Sequence, residues 1–145
     1  MLGAEPEIIA NYVDQGLVRL VFWPMLDHGN ASLNAHAAAD CIGRQSVDAY
    51  WQVHDQFFVD QGELWQANKE YFVNAAVTNG VDQATFEECY DSGAGHATVT
   101  ELDSIRRNLG VFNRPTFNIN DQLLVGSQPF NVFQSYIQAA LDAGT

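Results

Sequence analysis

The sequence predicts an α/β fold, and three observations carry that expectation. A nearly unbroken apolar run at 17–23, Leu-Val-Arg-Leu-Val-Phe-Trp, reads as a strand. The middle of the chain reads as one helix after another, and two short apolar runs split by Asn120-Asp121 read as a hairpin before a last helix. The 145 residues are 47% hydrophobic. A domain of that length buries roughly 68–70% of its extended-chain surface, enough for a core without a metal or disulfide. Glycines fall singly between periodic segments, with no repeat or linker-like stretch, so one domain spanning 1–145 is expected.

The elements follow in order. Residues 5–12 read as a helix end, with Ile8, Ile9, Tyr12 and Val13 on one side and Gly16 as its stop. The run at 17–23 has the continuous apolarity of a parallel strand covered on both faces, and such a strand needs strand neighbours. A loop with Pro24, Gly29 and Asn30 leads to an alanine-rich helix at 32–42 ending at Gly43. Ser46 can cap the next helix, where Tyr50, Trp51, His54, Phe57 and Phe58 recur at helical spacing. A third helix is expected at 62–77, with bulk from Leu64, Trp65, Tyr71 and Phe72.

Asp82 opens a short helix that carries Cys89 and stops near Ser92-Gly93, and a further helix covers 97–108. Near the C-terminus, 116–119 and 122–125 flank Asn120-Asp121, a two-residue hairpin signal. Pro129 suits the first turn of a helix striped by Phe130, Phe133, Ile137 and Leu141.

Net charge is -12 with only six Lys and Arg, none clustered, so phosphate backbones and anionic membranes are repelled. Neither nucleic acid nor membrane is expected as a partner. No apolar run approaches the ~18 residues of a bilayer-spanning helix. Residues 1–7 lack the basic start, apolar stretch and cleavage site of a signal peptide.

The order helix, strand, helical block, hairpin, helix, with Arg114-Pro115-Thr116-Phe117 just ahead of the hairpin, resembles the DsbA-like thiol-disulfide oxidoreductases. Further ordered pieces carry the match: 18–23, Ala37 to Gly43 around Cys41, 50–58 with His54-Asp55, 86–93 around Cys89, and Gly126-Ser127-Gln128-Pro129-Phe130. The resemblance implies a DsbA-type thioredoxin-like fold with a helical subdomain inserted at about 32–109. It also implies an extracytoplasmic protein whose partners are protein or peptide thiols and which needs no cofactor.

Members of that family begin with a strand leading into Cys-x-x-Cys at a helix N-terminus, where the helix dipole stabilises an attacking thiolate. Against that pattern this sequence starts within the helix that follows. The first core strand and the Cys-x-x-Cys are therefore expected to be missing, no catalytic residue is assigned, and the chain is expected to be catalytically incomplete. The alternative is a non-catalytic thioredoxin-like module for polypeptide binding or assembly. A missing strand would leave a slot between 18–23 and 116–119, filled by direct closure, by a second copy in a homodimer through sheet edges, or by sequence outside this chain.

Two cysteines are present, Cys41 and Cys89. The resemblance implies a structural disulfide between them; the residues alone leave buried free thiols or a redox pair open. The resemblance also implies that Pro115 follows a cis bond and that Arg114, Pro115 and Thr116 hold a substrate chain through the backbone. An ordinary trans turn is the alternative, and Arg114 stands where the family commonly carries Thr or Val. His28, His36, His54 and His96 form no His-x-x-x-His or His-x-Glu pattern, so no metal site is expected. His54 reads as a core histidine and His28 as a loop residue. The aromatic residues read as core rather than a ligand groove, and Asp14, Glu87 and Glu88 as helix surface, since adjacent helical positions diverge.

Overall fold

The computed structural model describes residues 3–144. The chain divides into two compact units, Trp23–Leu109 and a second made of Met1–Phe22 with Gly110–Thr145.

The helical unit is organised around α2 (Asn30–Gly43), whose Ala35, Ala37, Ala38, Ala39, Cys41 and Ile42 are buried. Alanine is the best helix former and leaves little bulk, so neighbouring helices can approach closely. Helix α3 (Val47–Val59) starts at Ser46, whose side chain accepts the Ala49 N–H at 3.2 Å, as the cap signal predicts. Two helices, α4 (Gln61–Leu64) and α5 (Lys69–Thr78), replace the single helix expected at 62–77. The break follows from Asn68, whose Oδ1 accepts the Tyr71 N–H at 3.0 Å and so starts a new helix. Trp65 lies in this break and is 62% exposed instead of adding to the core.

Helix α6 (Gln83–Asp91) is capped by Asp82, which accepts the Thr85 N–H at 2.9 Å. Helix α7 (Ala94–Asn108) begins one turn earlier than expected, directly after Gly93 in the left-handed region at φ 77°. Phe72, Phe86, Ile42, Val53 and Cys41 are the largest fully buried side chains of this unit.

In the second unit, α1 (Glu5–Ile8) continues into a π-helical turn at Ile9–Val13. Strands β1 (Thr116–Ile119) and β2 (Gln122–Val125) pair antiparallel with Phe117 opposite Leu124 and Ile119 opposite Gln122. Asn120 and Asp121 take φ 45° and 71°, the pair of left-handed residues that a type I′ turn requires. Pro129 precedes α8 (Phe130–Ala143) as its cap rather than lying in its first turn. Ile8, Tyr12, Leu124, Phe133 and Ile137 form the core, with Val18, Phe117 and Phe130 packed on it.

The expected strand at 17–23 is not one. Residues 18–23 have no regular secondary structure and no ladder pairing, and the sheet of the described residues is β1 with β2. Exposure alternates along the segment, with Val21 and Trp23 exposed and Leu20 and Phe22 half-buried. Alternate side chains are covered rather than all of them, and apolarity without a ladder partner does not make a strand. Direct closure onto 116–119 is therefore not what the described residues do.

Helices α2 and α7 meet where Gly95 faces Ala37 and Cys41; a Cβ there would lie 2.5 Å from the Ala37 carbonyl oxygen and 2.8 Å from Cys41 Sγ. Gly95→Ala is expected to lower the unfolding free energy by about 2 kcal/mol, within the range for overpacking. Urea denaturation with an unchanged m-value checks this.

Candidate functional site

The structure places the chemistry-bearing residues at two locations. In the second unit, the Arg114–Pro115 peptide bond is cis. Arg114 and Pro115 are exposed, and Phe112 is 62% exposed beside them. The Thr116 hydroxyl donates to the Asn113 carbonyl at 2.6 Å, and the Pro115 carbonyl accepts the Gly126 N–H at 2.8 Å, so the loop is tied at both ends. In a two-residue hairpin the pair next to the turn exchanges both hydrogen bonds and the pairs then alternate. Thr116 and Asn118 hence direct their backbone N–H and C=O groups away from β2. That edge is chemically a template for an extended chain.

In the helical unit, Cys41 on α2 and Cys89 on α6 form a disulfide with Cα atoms 5.8 Å apart. Cys41 is 1% exposed and Cys89 half-buried, packed against the aromatic core that includes Phe72, Phe86 and Tyr90. A thiolate attacking at Cys41 meets a fully buried sulfur, which favours persistence over exchange, while Cys89 is half-buried. Closing a loop across 48 residues removes roughly 4 kcal/mol of unfolded-chain entropy in the loop model.

A buried polar cluster escaped the sequence reading. Asp103 Oδ1 accepts from Arg106 Nε at 2.9 Å and from the Leu26 N–H at 3.1 Å, while its Oδ2 accepts from Arg107 Nε at 2.7 Å. Burial pushes the Asp103 carboxyl up, but the hydrogen bonds from Arg107, the Leu26 N–H and Arg106 outweigh it and hold the group down at about 2. The Trp23 indole N–H donates to the Leu102 carbonyl at 2.9 Å, so 23–26 is pinned along α7. The spacing of Asp103 to Arg106 and Arg107, three and four residues on, is a same-face helical signal that the sequence did carry.

Among the described residues no histidine joins a cluster of three metal-ligating groups. His54 is 4% exposed, as a core histidine should be, with Nδ1 3.0 Å from Asp55 Oδ1, and burial lowers its pKa. Burial, with a contribution from His54, lowers His36 to about 4. His28 rests edge-on against Trp65, ring centroids 5.3 Å apart. The aromatic residues mostly fill the core, but Trp23, Phe58, Trp65 and Phe112 are exposed. Among the described residues no helix is long and apolar enough to cross a membrane.

Residues 2–139 match the protein family described as thioredoxin. Disulfide bond formation protein D of Bacillus subtilis (strain 168) is 21% identical over 139 residues, which are 94% of this chain but 63% of that protein. The chain thus spans less than two thirds of that relative's length. The crystal structure of the thiol-disulfide exchange protein alpha-DsbA2 from Wolbachia pipientis matches with a TM-score of 0.73 at 24% identity, covering 92% of this chain and 73% of that one. The fold is thioredoxin-like with a helical insertion.

Two expectations follow. Asp103→Asn leaves the Arg106 guanidinium buried beside a weakened partner and should cost about 3 kcal/mol in a denaturation titration, the lower end for breaking a buried pair. His36 has a folded pKa below its unfolded value, so its contribution to stability is full above about 6.5 and is lost as pH falls towards 4. Unfolding free energy should therefore drop by about 2 kcal/mol between pH 7.5 and 5 on this account. His36→Gln should shrink that drop to the part contributed by His54, whose pKa burial also lowers, and leave the acid limb below pH 4, where Asp103 titrates, in place.

Proposed function

Because this chain belongs to the thioredoxin family, we propose that it is a DsbA-like protein of the thiol-disulfide oxidoreductase family that does not itself catalyse exchange. Its partners on this reading are protein or peptide thiols in an extracytoplasmic compartment, and the two units are parts of one DsbA-like domain. One observation carries the catalytic incompleteness. The chain's two cysteines are joined across α2 and α6, 48 residues apart and with Cys41 buried, whereas a redox Cys-x-x-Cys puts an accessible thiolate at a helix N-terminus.

The Pro115 loop supports the binding half of the proposal. Exposed Arg114 and Pro115 lead into a strand whose Thr116 and Asn118 backbone groups face away from β2, and an extended polypeptide can add there by strand pairing. The same edge favours the second reading, a non-catalytic module that holds a polypeptide or, as a homodimer, a second copy. The conformations of the bound chains would be alike; their need for a thiol would differ.

Insulin reduction by dithiothreitol should proceed at the buffer rate with this chain present. Acceleration that disappears in Cys41→Ser or Cys89→Ser would overturn the assignment of the bridge. An unfolded polypeptide with its thiols alkylated separates the two readings: binding as tight as that of the free-thiol form supports the module, and binding that requires the thiol supports the oxidoreductase. Light scattering on the chain alone shows whether the edge is already taken by a second copy.

A further inference from the structure

We propose that Cys41 and Cys89 in their reduced form, together with Asp40, bind a single borderline-soft divalent cation of the zinc type. The two sulfurs and a carboxylate oxygen of Asp40 all lie within 4.8 Å of one another. Donors around one tetrahedral ion stand roughly 3.5–3.8 Å apart when metal–sulfur bonds are about 2.3 Å and metal–oxygen bonds about 2.0–2.2 Å. In the oxidised chain α2 and α6 hold the two cysteine Cα atoms 5.8 Å apart, and on this proposal the freed side chains rotate to meet one ion.

The surroundings suit an ion. Arg44 Nε donates to Asp40 Oδ2 at 2.8 Å and its Nη2 to Thr98 Oγ1 at 2.7 Å, so one carboxylate oxygen is held and the other remains for the metal. Two thiolates and a carboxylate carry three negative charges, which a divalent cation and the Arg44 guanidinium balance. On its buried side Cys41 Sγ is closed over by α7, where Gly95 carries no Cβ, so an ion is reached from the Cys89 side. Cys89 and Asp40 are half-buried, which gives an entry path and a fourth position for water. Two thiolates in three ligands select against magnesium and calcium.

Occupancy and the disulfide exclude each other. An external dithiol supplies two electrons and two protons to the bridge and becomes a disulfide itself; the cation then displaces both thiol protons to solvent without further redox change. The site is thus open only in the reduced chain, and its metal protects the thiols from reoxidation.

The full chain, reduced with a phosphine that is then removed, is titrated with Co²⁺ and followed by thiolate-to-metal absorption in the near ultraviolet and by tetrahedral visible bands. One Co²⁺ per chain, displaced by Zn²⁺ and absent from the oxidised chain, is expected. Asp40→Asn should weaken binding roughly tenfold or more while still forming the disulfide on oxidation, and Glu88→Gln should bind as the parent does. Absence of the thiolate band would overturn the proposal. So would affinity indifferent to Asp40→Asn, or the same affinity for the urea-unfolded reduced chain, since either means two thiols acting without the built site.

Discussion

The close approach of α2 and α7 is the constraint on which the helical unit depends. Alanine on one helix and a bare Gly95 on the other let the backbones meet, and that contact fixes the direction in which Cys41 presents its sulfur to α6. Arg44 spans the same junction, joining Asp40 on α2 to Thr98 on α7. Farther along α7, Asp103 gathers Arg106, Arg107 and the Leu26 N–H, so the incoming chain is held by charge-assisted hydrogen bonds. Small residues join α2 to α7, the disulfide joins α2 to α6, and the ion cluster ties the 23–26 segment to α7.

The cysteines and the cis-proline loop belong to different units. The cysteines serve the packing of α2 on α6, where shielding favours permanence. The exposed loop at Arg114 and Pro115, with the outward backbone of Thr116, offers hydrogen bonds and no nucleophile of its own. On the proposed reading, one unit offers the binding edge and the other carries the covalent tie.

Local signals were legible where a short-range rule decides the outcome. Asn120-Asp121 is a turn because two left-handed residues are needed and these types tolerate them, and Ser46 and Asp82 cap helices because their side chains reach an N–H three residues on. The same rule applied to Asn68 would have split the helix expected at 62–77, and it was masked there by the hydrophobic pattern. The run at 17–23 misled because apolarity reports burial, whereas a strand needs a partner, which no window of sequence contains. Asp103 was hidden for the opposite reason: one of its partners, the Leu26 N–H, is distant in sequence. The ordered family pieces gave the fold and the implied cysteine pairing, but the third donor beside the sulfurs, Asp40, emerges only once α2 and α6 are side by side.

The structural role of the bridge is tested most directly by the rate at which dithiothreitol reduces it as a function of urea. If Cys41–Cys89 is part of the core, reduction is slow in the native chain and rises with urea in step with the fraction unfolded. Fast reduction without urea, unchanged up to the unfolding transition, would mean an accessible, exchange-active disulfide and would contradict this account.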